Sequence, residues 1–310
     1  MKLGFIYEHP SWSDSLIAAF EEAGVDLVPI NVGELSFSAS GDDIPFALAV
    51  NRVNVMPSAD RPPHVVFHTL HYLTFLEARG VRIVNGARAH QAGASKAVQN
   101  GIFQRLGLHY PEAVAVYRSS DVRDAAERIG FPLMVKPNIG GSGAGIRRYD
   151  SPDELEAAMR GRQLDLGSDG TGLIQRYAPT NGYVYRVELL GDALLYAIRQ
   201  PVAETSFNYC AADGCSVQRD GSGDDPSFHA AGEENRIQPF VPPDSILSDV
   251  RSVVAAAGAD LGGVEYFLDP ADGRPCYYDF NPYSNFVTNG KALFGFSPEH
   301  RFVEFVTALR

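Results

Sequence analysis

The sequence predicts an α/β protein that opens as a parallel sheet covered by helices and continues as mixed α+β segments. Three observations lead there. Strand and helix patterns alternate at short intervals over residues 2–86, the order that builds a parallel sheet. A lysine-bearing strand runs into a glycine cluster, "KPNIGGSGAGI", residues 136–146. A late acidic hairpin, "GGVEYFLDPADGRPCYYDFNPYSNF", fills residues 262–286.

The bulk numbers narrow the class. With 310 residues the chain is long enough for two or more domains and a large core. A net charge of −12 argues against a nucleic-acid or anionic-membrane binder, because both partners select a basic surface. Cys210, Cys215 and Cys276 are an odd number without CxxC spacing, so neither a disulfide framework nor a zinc site follows. The start, "MKLGFIYEHPSWSD", lacks a signal-peptide pattern, and no run approaches the roughly 18 apolar residues of a membrane span. A cytoplasmic protein is expected, with homo-oligomerisation left open.

"KLGFIY" reads as a strand, "SWSDSLIAAFEEAG" as a helix closed by Gly24, and "VDLVPI" as a second strand. "HVVFH" and "VRIVNG" are expected to extend the sheet, with the helix "TLHYLTFLEARG" between them. His68 and His71 lie three apart on that segment and find no third metal ligand. From Ser95 the pattern changes. "SKAVQNGIFQRLG" is a helix with Val98, Ile102 and Leu106 on one face. "AVAVY" is a strand, and "SSDVRDAAERIG" a helix with Val122, Ala125, Ala126 and Ile129 as its apolar stripe and Gly130 as its stop. "FPLMVKP" is a buried strand that delivers Lys136 to the glycines.

Four of the six residues from Gly140 to Gly145 are glycine, so this backbone can take positive φ and approach a ligand closely. The order fits neither the P-loop, whose lysine follows its glycines, nor the dinucleotide fingerprint. After the loop, "AGIRRYD" is extended, and only then does "SPDELEAAM" start a helix, with Ser151 as N-cap, Pro152 in the first turn and Glu154 completing a capping box. The glycines therefore join strand to strand, and lysine and metal must supply the charge for any phosphate beneath them. Residues 217–236 form a polar, Gly-rich excursion read as a mobile loop.

The acidic hairpin folds about Asp272-Gly273, which sets Glu265 opposite Asp279, with Asn281 two residues further on the same face. Like charges across a hairpin repel by a few tenths to about 1 kcal/mol. A divalent cation between them reverses that sign, and three hard oxygen donors select Mg²⁺ over zinc or copper. A solvent-facing edge hairpin with scattered acids is the alternative reading.

Together, a strand-borne lysine, a glycine hairpin and an acid–acid–Asn hairpin resemble the ATP-grasp superfamily, in its branch of glutathione synthetase and the ribosomal-protein glutamate ligases. The resemblance implies an N-terminal parallel α/β domain (1–94), a central lid subdomain with the glycine hairpin (95–175), and a C-terminal subdomain with the metal site (176–310), the latter two clamping ATP. It implies that Lys96 and Lys136 contact nucleotide phosphates and that Gly141, Ser142 and Gly143 cover them. Gln175, Arg176 and Tyr177 would meet adenine. Arg186, Arg199 and Asn208 would hold an acyl-phosphate. Glu265, Asp279 and Asn281 would bind Mg²⁺, or Mn²⁺ in its place, and Arg52 and Asn54 would face substrate. The middle metal ligand is Asp where the family more often has Glu, and no carboxylate after Gln175 offers itself to the ribose.

The implied reaction is ATP-dependent, ADP-forming joining of a small-molecule carboxylate, such as an amino acid or peptide, to an amine. The alternatives are an ATP-grasp kinase that phosphorylates a hydroxyl, and a catalytically silent nucleotide-binding module. The residues offer no general base.

Overall fold

Four short parallel strands come first, in a computed structural model that describes residues 2–309 apart from 10, 42, 56–63, 142, 203–236, 284–285 and 288. β1 (Leu3–Tyr7) is apolar and buried, and it lies between β2 (Leu27–Asn31) and β3 (Leu48–Asn51), with β4 (Arg82–Val84) beyond β3. The order β2-β1-β3-β4 is all-parallel. α1 (Asp14–Glu22) connects β1 to β2 and α2 (Val65–Ala78) connects β3 to β4, as expected of a parallel sheet, whereas no described helix lies between β2 and β3, and α3 (Ala87–Ala94) follows β4.

One strand lies elsewhere than expected. "HVVFH" is helical: His64 caps α2, and Val65, Val66, Thr69, Tyr72, Leu73 and Leu76 are its buried residues, at helical spacing. The strand is instead Leu48–Asn51, every residue of which is buried. A β-branched Val-Val pair suits either state, and the surrounding period of 3.6 decides for helix.

α4 (Lys96–Arg105) follows, with the Ser95 hydroxyl accepting from the Val98 N–H. Its buried residues are Gln99, Ile102 and Phe103, while Val98, expected on the apolar face, is exposed. The second sheet, in the order β5-β8-β6-β7, is antiparallel and consists of β5 (Ala113–Val116), β6 (Leu133–Pro137), β7 (Arg147–Tyr149) and β8 (Gly172–Arg176). α5 (Val122–Ile129) buries the four expected residues on it, and α6 (Pro152–Arg160) starts at Ser151 as expected. The Glu154 carboxylate accepts from the Asp150 N–H, one residue before the cap. The glycine segment does join strand to strand, through turns in which Gly143 and Gly145 both take φ near +73°, a region closed to most other residues.

The third sheet, in the order β11-β10-β9-β12-β13, contains β9 (Tyr183–Leu190), β10 (Ala193–Pro201), β11 (Gln238–Pro239), β12 (Leu261–Leu268) and β13 (Pro275–Asn281), all antiparallel. α7 (Asp244–Ala257) covers one face together with α4. The chain then runs through α8 (Gly290–Phe294) into α9 (Pro298–Ala308), which returns to pack on α1.

Core packing groups the sheets unequally. Leu3, Phe5 and Leu48 of the first sheet share one cluster with Tyr196, Ile198 and Leu261 of the third and with Phe302 of α9. The second sheet closes its own core, around Val122, Ile129, Leu133, Val135 and Ile174. No described helix is long and apolar enough to cross a membrane.

Candidate active site

The third sheet carries two adjacent rows of side chains on one face. Arg186 on β9, Glu265 on β12 and Asp279 on β13 stand directly opposite one another. The next row is Glu188, Gly263 and Asn281. The expected pairing of Glu265 with Asp279 is therefore present. It depends on a bulge between Glu265 and Tyr266, on whose turn side Tyr266 faces Tyr277. The extra residue, Tyr278, turns its hydroxyl back to donate to Glu265 Oε2 at 2.7 Å.

Both sequence-selected lysines arrive at this row. Lys96, the first residue of α4, donates from Nζ to Asp279 Oδ1 at 2.8 Å. Lys136, at the end of β6, is only 4% exposed. Asn138 ties the two segments together. Its carbonyl accepts from the Lys96 N–H at 3.2 Å, and its Oδ1 accepts from the Ala97 N–H at 2.9 Å and the Ser95 hydroxyl at 3.1 Å. The helix start that carries one lysine is thus fastened to the strand end that carries the other.

The electrostatics set like charges against each other. Burial lowers the Lys136 pKa to about 7, the Lys96 ammonium pushes the same way, and Asp279 opposes them. Burial raises the Glu265 pKa, Arg186 pulls it back, and Asp279 raises it again. Burial works against the Arg186 charge, but Glu188, Tyr196 and Glu265 outweigh it, so its pKa lies above the ordinary value. Two cations that repel and two carboxylates that repel sit side by side; a polyanion with a divalent cation would relieve both.

Buried amides hold the acidic strands in place. Gln99 Nε2 donates to the Ala92 and Phe280 carbonyls, both at 3.0 Å, and its Oε1 accepts from the Phe280 N–H at 3.2 Å. Gln99 thus acts as a one-residue strand partner beside Asp279. Asn85, with φ of 56°, does the same between Leu261 and Pro282. Asn281 Oδ1 accepts from the Tyr283 N–H at 2.9 Å. The Tyr283 hydroxyl lies 2.7 Å from Asn51 Nδ2 and 3.1 Å from His90 Nδ1. His90 Nε2 faces the Val66 carbonyl at 2.9 Å and so carries the ring proton, while burial lowers the His90 pKa to about 4.

The other sequence-selected residues lie as follows. Gly141 and Gly143 sit in the hairpin turns, their carbonyls accepting from the Ala144 and Ile146 N–H groups. Gln175 is buried and donates to the Pro111 carbonyl at 3.3 Å. Arg176 pairs with Glu112 in solvent at 3.2 Å, and the Arg148 guanidinium covers the Tyr177 ring at 4.0 Å. Arg52 lies over Phe286 and Phe302, at 5.6 and 5.9 Å, where burial lowers its pKa and Glu188 is the foremost of the groups opposing that. Asn54 is half-buried beyond β3. Ser142, Asn208 and the 217–236 segment lie outside the described residues.

Arg199 needs correction. The sequence reading places it with Arg186, but a bulge between Leu194 and Tyr196 sets Arg199 opposite Tyr185 and Arg186 opposite Ile198. One inserted residue inverts the alternation, so the two arginines point to opposite faces. Arg199 instead donates to Gln238 at 3.0 Å and lies over Tyr183. The sequence reading missed Glu188, Gly263, Gln99 and Asn138. Glu188 was findable: Arg186-x-Glu188 in the apolar strand "YVYRVELL" puts two charges on one face.

Among the described residues no three His, Cys, Asp or Glu side chains gather, so an ion here would rely on the Asn281 amide beside the two carboxylates.

Residues 96–178 match the family described as carbamoyl-phosphate synthase L chain, ATP binding domain. A D-alanine–D-alanine ligase of Flavobacterium psychrophilum is 26% identical over 186 residues, covering 58% of this chain and 52% of the relative. A glutamate–LysW ligase, ArgX, of Sulfurisphaera tokodaii is 27% identical over 213 residues, covering 67% of this chain and 72% of the relative. The chain spans about half the length of the first curated relatives it matches, 52% and 54%. Among solved structures, a RimK domain protein of Sphaerobacter thermophilus aligns with TM-score 0.66 and 15% identity over 99% of this chain and 100% of that one. At that identity the shared property is the fold.

Proposed function

We propose that this chain, which belongs to the ATP-grasp superfamily, is an ADP-forming carboxylate–amine ligase. The observation that carries the reading is the meeting of Lys96 and Lys136 with Asp279 and Glu265 at one place. We read the chain as units 1–94, 95–175 and 176–310, with ATP between the second and third. The names of the relatives favour an amino acid or a peptide as substrate.

The donor set fits a hard divalent cation. Asp279 faces Glu265 in register, and Asn281 brings an amide oxygen whose direction the Tyr283 N–H sets. Mg²⁺, or Mn²⁺ in its place, would be held by Glu265, Asp279 and Asn281 and would neutralise charge between a carboxylate and the triphosphate.

The chain's own groups then have distinct tasks. Lys96 and Lys136 bind phosphate oxygens, lowering the repulsion as a substrate carboxylate oxygen attacks the γ-phosphorus and ADP leaves. Arg186 faces the acyl-phosphate so formed and steadies its oxyanion while the amine attacks the acyl carbon and phosphate departs. The glycine hairpin, with Gly141 and Gly143, keeps water from the acyl-phosphate. The strand end Gln175–Tyr177 borders the base. The Asn208 role remains part of the proposal, and Arg199 is withdrawn from this set because it faces away from Arg186. Consumption of ATP suits a cytoplasmic setting.

The test is a pairwise screen of amino acids and short peptides with ATP and Mg²⁺, following ADP by coupled assay and products by mass spectrometry. Hydroxylamine in place of the amine should trap a hydroxamate. A phosphorylated hydroxyl product, or ADP release at background across the screen, would overturn the ligase reading.

A further inference from the structure

Glu188 has no task in the reaction just described, yet it is the fully buried acid of the sheet face, with 0% exposure. Its Oε2 accepts from Arg186 Nε at 3.0 Å and from Nη2 at 2.9 Å. Its other oxygen, Oε1, is buried without a hydrogen-bond partner. Arg186 in turn stands between two glutamates. It is hydrogen-bonded to Glu188, whereas its Nη1 is 3.7 Å from Glu265 Oε1, beyond hydrogen-bond range. The space for this comes from Gly263, which lies between Glu188 and Asn281 in the second row. A Cβ there would stand 2.5 Å from Glu188 Oε2 and 2.8 Å from Arg186 Nε. The guanidinium therefore lies over Gly263, drawn along its own strand and away from its neighbour across the ladder.

We propose that Glu188 is a positioning residue that acts through Arg186: by holding the guanidinium over Gly263, it keeps Glu265 Oε1 out of a hydrogen bond with Arg186 and so open to serve as an oxygen ligand. Among the described residues, a buried Arg186 without Glu188 is left with Glu265 as its ion-pair partner, and a closer pair there competes directly with a divalent cation. This rests on the reading of Glu265 as a metal ligand. Outer-shell partners of this kind typically change metal affinity by roughly 10–100-fold.

The test uses the full chain with ADP and Mn²⁺, reading bound ion by electron paramagnetic resonance and folded fraction by circular dichroism. Glu188→Gln should weaken Mn²⁺ binding by roughly tenfold or more at unchanged folded fraction. Gly263→Ala, which pushes the pair apart without removing either charge, should do the same and decides the matter if Glu188→Gln fails to fold. Adding Arg186→Met to Glu188→Gln should restore binding, a rescue that a merely structural role for Glu188 would not give. Wild-type affinity in Glu188→Gln, with binding lost in Glu265→Gln, would overturn the positioning role and leave the metal reading standing. Wild-type affinity in Glu265→Gln would overturn both.

Discussion

Lys96 Nζ lies 2.8 Å from Asp279 Oδ1, so a cation from α4 sits against the acid that opposes Glu265. Nucleotide binding on the proposed scheme exchanges this partner, Lys96 turning to phosphate and Asp279 to metal. Asp279→Asn should cut Mg²⁺-dependent ADP formation by more than about 100-fold, beyond the usual loss for an outer-shell change. Its effect on stability should stay within about 1 kcal/mol, because the pair is partly exposed. Coupled ADP assay and urea unfolding check the two halves, and normal Mg²⁺-dependent turnover in the variant would remove Asp279 from the metal set.

The Lys136 ammonium gives a second expectation, from its pKa near 7. Between that value and the ordinary lysine range, the unfolded chain holds a proton that the folded chain has released. Stability should therefore rise with pH across this window, the burial penalty being fully present below it. A bound polyphosphate favours the charged form, so ADP binding at pH 8 should take up close to one proton. Titration calorimetry in two buffers of different ionisation enthalpy measures this. Equal apparent enthalpies in both, or the same uptake in Lys136→Met, would contradict it.

Gln99→Leu removes both halves of the bracket on Phe280 and the bond to Ala92. Buried groups left without partners cost about 1–3 kcal/mol each, and a total loss of about 3 kcal/mol is expected from urea unfolding. A loss below about 0.5 kcal/mol, the scale of an ordinary surface change, would mean that Gln99 does not hold β13.

His90 is buried neutral with a pKa of about 4. Its contribution is complete above the unfolded histidine value of about 6.5 and is lost as pH falls from there toward the folded value. Up to about 3 kcal/mol is expected to disappear over that interval. The proton slope of the unfolding free energy should carry this component in the wild type and lack it in His90→Gln; superimposable profiles would refute it.

The parts of this site that were legible in the sequence were those that local chemistry encodes. Asp272-Gly273 announces a turn, and counting outward from it pairs Glu265 with Asp279. A strand ending in Lys136 before four glycines announces a covering hairpin. The illegible parts depend on bulges and distant partners. The bulge in β10 turns Arg199 away from Arg186, and it requires no signature residue. Gln99 looks like a surface glutamine of a polar helix until β13, some 180 residues later, arrives beside it. The strand Leu48–Asn51 is four residues long, with Leu48, Ala49 and Val50 apolar in a row, too short to show any alternation.

The separate core of the second sheet has a mechanical consequence. The first and third sheets are welded through Phe5, Tyr196, Ile198 and Phe302 into one block, while Val135 and Ile174 belong to a core of their own. If ATP binds as proposed, opening and shutting over it would fall to the second sheet, which carries Lys136, against the block that carries Glu265, Asp279 and Asn281. A crosslink between the first and third sheets should then leave the enzyme working, and one that pins the second sheet should stop it.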